Sequence, residues 1–119
     1  MHAARLAHFK LAPAPLNQLV ALSQTLHESS LGKALVALVD IRASQINGCA
    51  FCLDMHAREF LAADGDLHRL NMVAAWREAG CYTERERAAL QWVESVTLVS
   101  ESRAPQAHFD ALRPHFDDK

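Results

Sequence analysis

Cys49, Cys52 and His56 form a Cys-x-x-Cys pair followed by a histidine four residues after the second sulfur. A thiolate is a nucleophile and a thiol is not, so chemistry requires a device that lowers a cysteine pKa from its usual ~8.5. Two such devices are at hand. Backbone N–H groups at a helix N-terminus favour an anion, and an imidazole can take the proton. The second sulfur adds a means of forming a disulfide when the first is oxidised. The three residues read as a reactive dithiol with a base beside it.

That reading needs a helix beginning at the cysteines. Asn47-Gly48 is a turn signal, and neither proline nor glycine follows until Gly65. A helix from about Cys49 to Ala63 puts residues 49, 52 and 56 at i, i+3 and i+7, on one face. Asp64-Gly65 marks its end.

Other chemistries use the same residues. Two thiolates and an imidazole are three of the four ligands of a zinc site, but a fourth would have to come from Cys81, His27, His68, His108 or His115, and no second ligand pair is spaced for it. No metal ligand set is therefore assigned. Free cysteines are also commonly small buried hydrophobes, and Cys81 is read that way, as packing or a bystander thiol. The six histidines other than His56 have no comparable partner in sequence and read as surface or core residues.

The chain has 119 residues, enough for one domain with a single core. Lys and Arg number 12 against 14 Asp and Glu, with no basic cluster to neutralise phosphates, so nucleic acid is not expected as a partner. The N-terminal residues lack an apolar signal region, and no run of 18 residues is free of charged or strongly polar groups. The expectation is a cytoplasmic protein without membrane contact. Three cysteines, two of them in redox spacing, fit a reducing compartment better than a secreted disulfide framework.

Residues 1–14 read as an approach segment and 15–119 as one helical domain. Pro13-Ala14-Pro15 opens a first helix whose Leu16, Leu19, Val20, Leu22 and Leu26 form an apolar stripe expected to face a core, ending near Ser29-Ser30. Leu31 to Ile46 is apolar on most faces, which predicts burial between helices or subunits. A helix over Leu67 to Ala79 follows, with Asp66 as N-cap and Gly80 as its end. Trp76 and Trp92 read as core or interface. Thr83-Glu-Arg-Glu86 is a capping box opening a helix to about Ser100, and Pro105 opens a short last helix through Phe109, Leu112 and Phe116. No alternating strand pattern appears, so the fold class is all-α, a bundle of about six helices.

Arg42-Ala-Ser-Gln-Ile-Asn-Gly-Cys-Ala-Phe-Cys-Leu-Asp-Met-His56 closely resembles the alkylhydroperoxidase D-like (AhpD-like) branch of the carboxymuconolactone decarboxylase family. The similarity continues through Ala74-Ala-Trp-Arg-Glu78, Tyr82 to Leu90, Trp92 and Glu94. The resemblance implies an intertwined helical homo-oligomer, trimer or hexamer, and reduction of alkyl hydroperoxides. It also implies that Cys52 attacks, Cys49 resolves and His56 belongs to a proton relay. No bound cofactor is implied; an external dithiol, such as a lipoyl-bearing protein, would restore the thiols. The resemblance differs at one position. The family's relay glutamate, twelve residues before the first cysteine, is Ala37 here. Asp40, one turn on, and Glu86 are the candidate replacement acids. By electrostatics alone the helix terminus favours a more acidic Cys49, and proximity to His56 favours Cys52.

Overall fold

The computed structural model describes residues 5–119, so residues 1–4 of the expected approach segment lie outside the described residues. Among the described residues there are eight α-helices, one 3-10 turn and no strand. They are α1 (His8–Leu11), α2 (Pro13–His27), α3 (Lys33–Asn47), α4 (Ala50–Ala63), α5 (Leu67–Met72), α6 (Glu84–Thr97), α7 (Val99–Ser102) and α8 (Gln106–Asp110). The all-α expectation holds. Among the described residues no helix is long and apolar enough to cross a membrane.

The organising element is α3, which packs chiefly against α4 and α6. Its Leu35, Leu38 and Ile41 meet Phe60 of α4, Val73, Trp76 and Tyr82 of the following segment, and Ala89 and Leu90 of α6. Leu38, Phe60, Val73 and Leu90 are completely buried. The apolar composition of residues 31–46 is thus used as expected, although Leu31 itself stays exposed.

The segment expected as one helix over 67–79 breaks into α5 and a 3-10 turn, Val73–Ala75. Arg87 closes the end of this segment: its guanidinium donates to the carbonyl oxygens of Trp76, Arg77 and Ala79, last-turn groups without a helical partner. Arg69 closes the other side: it pairs with Asp64 and with Glu86, and its carbonyl accepts from the Tyr82 hydroxyl. The capping box at Thr83 and Glu86 is formed as the sequence predicts.

Two N-terminal expectations change. Helix starts already at His8, within the approach segment, and α2 begins at Pro13 rather than Pro15. The stripe of α2 does not reach a core within this chain: the helix buries no residue, and Leu19, Leu22 and Leu26 are all more than half exposed. Periodicity reports that a face is apolar and not what covers it.

Gly48 ends α3 in the left-handed region, at φ 65°, and turns the chain into α4. A Cβ added there meets nothing within 4 Å, so Gly48→Ala should cost only the conformational penalty, about 1 kcal/mol. Urea unfolding should show a lower midpoint with an unchanged slope.

Candidate active site

The turn at Gly48 delivers Cys49 to the N-cap of α4, where its sulfur accepts the Cys52 backbone N–H at 3.3 Å. Cys52 is therefore the third residue of the helix, and the two sulfurs are joined as a disulfide. The single-face arrangement inferred from the spacing is realised in its oxidised form. Both cysteines are half-buried. Cys81 is a free thiol elsewhere, packed against the core beside Tyr82.

His56 stands one turn beyond Cys52 on α4, with only 13% of its side chain exposed. Its Nδ1 lies 2.7 Å from Glu59 Oε2 and 3.8 Å from Asp40 Oδ2. An ionised carboxylate can only accept, so Nδ1 carries the proton in this contact. The neutral ring then keeps its lone pair on Nε2. A carboxylate on one ring nitrogen fixes the tautomer and raises the basicity of the other, the arrangement of an oriented general base.

Asp40 of α3 is the carboxylate that ties the site together. Its Oδ2 is 3.3 Å from His27 Nε2 on α2 as well as 3.8 Å from His56, and the two imidazoles stack with centroids 6.3 Å apart. Burial raises the Asp40 pKa above the ordinary carboxylate range; His56 and then His27 pull it partly back, and Glu59 adds to the rise. Asp40 is the better placed of the two candidate acids. Glu86 is held instead by Arg69 and by the Thr83 amide and hydroxyl. Ala37, 1% exposed, belongs to the apolar cluster around Leu38 and Ile41.

Two members of this network were not singled out from the sequence. Glu59 follows His56 by three residues, a helical spacing that could have found it. His27, read there as an ordinary surface or core residue, is brought to Asp40 by the tertiary fold, and no local pattern announces it. Among the described residues no group of three or more His, Cys, Asp or Glu is arranged to hold a metal ion. His108, one of the candidate fourth zinc ligands, is bonded to Ser95 Oγ at 2.7 Å.

A groove of about 360 Å³ runs between α2 and α3, lined by Leu22, Leu26, Val39, His27 and Asp40. A larger apolar cavity of about 680 Å³ lies between α3, α6 and the C-terminal segment, lined by Leu35, Trp92, Val96, Leu112 and Phe116 but by neither cysteine nor His56.

Beneath the site, Glu94 of α6 locks α3 in place. Arg42 Nε donates to its Oε1 at 2.7 Å, Trp76 Nε1 to the same oxygen at 2.9 Å, and Arg77 pairs with Oε2 at 2.7 Å. Burial would raise the Glu94 pKa, but hydrogen bonds from Arg77, Trp76 and Arg42 outweigh it and hold the carboxyl down at about 2.

Residues 13–95 match the model of the carboxymuconolactone decarboxylase family. The chain belongs to that family. Its site and fold place it in the AhpD-like branch. It is similar to a solved protein of unknown function from Agrobacterium tumefaciens, provisionally described as the antioxidant defence protein AhpD, with a TM-score of 0.91 and 40% identity over 98% of this chain and 80% of that one. The uncharacterized protein YdfG of Bacillus subtilis is 31% identical over 115 residues, 97% of this chain and 78% of that protein. The uncharacterized protein YnjA of Escherichia coli is 31% identical over 93 residues, 75% of this chain and 48% of its own length. The position where the resemblance implies a glutamate is Ala37, and the carboxylates that meet His56 are those of Glu59 and Asp40.

Proposed function

We propose that this family member is a thiol-dependent reductase of alkyl hydroperoxides. The observation that carries the reading is a histidine oriented by carboxylates one turn beyond a cysteine pair able to close as a disulfide. In the cycle, His56 Nε2 takes the Cys52 thiol proton and the thiolate attacks the O–O bond. The Cys52 sulfur becomes a sulfenic acid and the proton passes to the departing alkoxide, releasing alcohol. The Cys49 thiol then gives up its proton and its sulfur attacks the Cys52 sulfenic acid, forming the disulfide as the S–OH bond breaks and the departing hydroxide takes that proton to leave as water. An external dithiol, such as a lipoyl-bearing protein, reduces it by exchange and leaves as its own disulfide. No prosthetic group takes part.

The same reading includes a homo-oligomer, trimer or hexamer, in the cytoplasm. Its support is the unburied stripe of Leu19, Leu22 and Leu26 on α2, which a neighbouring copy would cover. Light scattering that gave a monomer at micromolar concentration would count against it.

Alkyl hydroperoxide consumption by the reduced protein under excess dihydrolipoamide tests the enzyme, with many turnovers per chain expected. Asp40→Asn should slow turnover by roughly 10- to 100-fold, since the carboxylate that faces both imidazoles loses its charge. A second reading draws on Ala37, which buries a methyl group where the resemblance implies an acid: the dithiol would serve as a redox sensor or structural clip. One oxidation event per chain and no turnover would favour it.

A further inference from the structure

We propose that His27 is a positioning residue of the proton relay, holding Asp40 against His56 so that the two imidazoles share one proton across a single carboxylate. It rests on the relay described above and extends it to a residue on a different helix. The geometry is specific. His27 Nε2 lies 3.3 Å from Asp40 Oδ2, the same oxygen that faces His56 Nδ1, and the rings stack with an interplanar angle of 27°. His27 is half-buried at the end of α2, a helix with no fully buried residue, in which Leu16 alone is buried to a similar degree.

The charge balance gives the arrangement a purpose. Asp40 is faced by His27 from α2 and by His56 and Glu59 from α4. Carboxylates beside an imidazole favour its protonated form, and a protonated imidazole cannot accept a proton from a thiol. A second imidazole on the Asp40 carboxylate supplies a competing site for that proton and a like charge beside His56. Both effects favour the neutral, base-competent form of His56.

Two substitutions with opposite electrostatic consequences test this. In His27→Gln the competing charge is lost, and in His27→Lys a permanent charge faces Asp40, so the His56 titration midpoint should move up in the first and down in the second. The His56 ring resonances, assigned by their loss in His56→Gln, are followed by NMR against pH in the oxidised full-length protein, which needs no turnover. The acid limb of dithiol-supported peroxide turnover is measured in parallel and should move in the same two directions. A merely structural role would lower activity in both variants without opposite shifts, and superimposable His56 titrations would overturn the proposal. If the NMR shifts appear while wild type turns over no peroxide, the relay stands and the peroxidase reading falls.

Discussion

Cys52→Ser is expected to abolish dithiol-supported peroxide turnover, a loss on the order of 10³-fold or more relative to wild type. The serine fills nearly the same space at the third position of α4, so the helix start, its cap at Cys49 and the orientation of His56 should survive. What disappears is the atom that can be oxidised: a hydroxyl ionises far above a thiol and forms no sulfenic acid. Cys49→Ser should behave differently. Attack at Cys52 remains, but no neighbouring sulfur resolves the sulfenic acid, so one equivalent of peroxide per chain should be consumed before the reaction stalls. Stopped-flow peroxide consumption with mass spectrometry of the trapped sulfur distinguishes the two variants. One equivalent consumed by Cys52→Ser and none by Cys49→Ser would exchange the roles of the two cysteines. Retention of activity in both would end the dithiol mechanism.

Glu94→Gln should be the most costly of the single substitutions proposed for stability, by about 2–3 kcal/mol, with a fall in Tm of roughly 10 °C. The carboxylate receives Arg42, Trp76 and Arg77 with only 12% of its side chain exposed, and a neutral amide leaves Arg42 largely uncompensated between α3 and α6. The pH dependence carries a definite sign. The folded pKa lies at about 2, below the ordinary value of 4.5. The unfolded chain therefore binds more protons between those values, and stability rises with pH through the window. The contribution of Glu94 is complete above about 4.5 and is lost as pH falls toward 2. Acid unfolding of Glu94→Gln should lack this component, and a variant curve parallel to wild type through that range would show that the charge contributes nothing.

Glu94 also shows how much of the molecule could be read from the chain alone. The site's backbone was legible because its signals are local. Gly48 breaks one helix, Cys49 caps the next, and the spacing of 49, 52 and 56 needs only the helical period to become a single face. The capping box at Thr83 was legible for the same reason. Asp40 was reached as the acid one helical turn from Ala37. By contrast, His27 meets Asp40, and Glu94 meets Arg42 and Trp76, through side chains on helices far apart in sequence. No periodicity records which two helices will pack. Residues 67–79 carry helical spacing throughout, yet the chain turns at Val73 to bury Val73 and Trp76 in the core, and Arg87 binds the carbonyls of Trp76, Arg77 and Ala79 beyond the turn. There, tertiary packing overrides local propensity.

The disulfide joins residues only three apart. Cross-links act largely by denying the unfolded chain its loops, and that effect grows with the logarithm of loop length: about 2 kcal/mol for four residues against nearly 5 for a hundred. Opening this bond thus returns little freedom to the unfolded chain, while the contacts among Leu38, Phe60 and Leu90 are left untouched. A bond that spans a single helical turn can open and close at small cost to the fold.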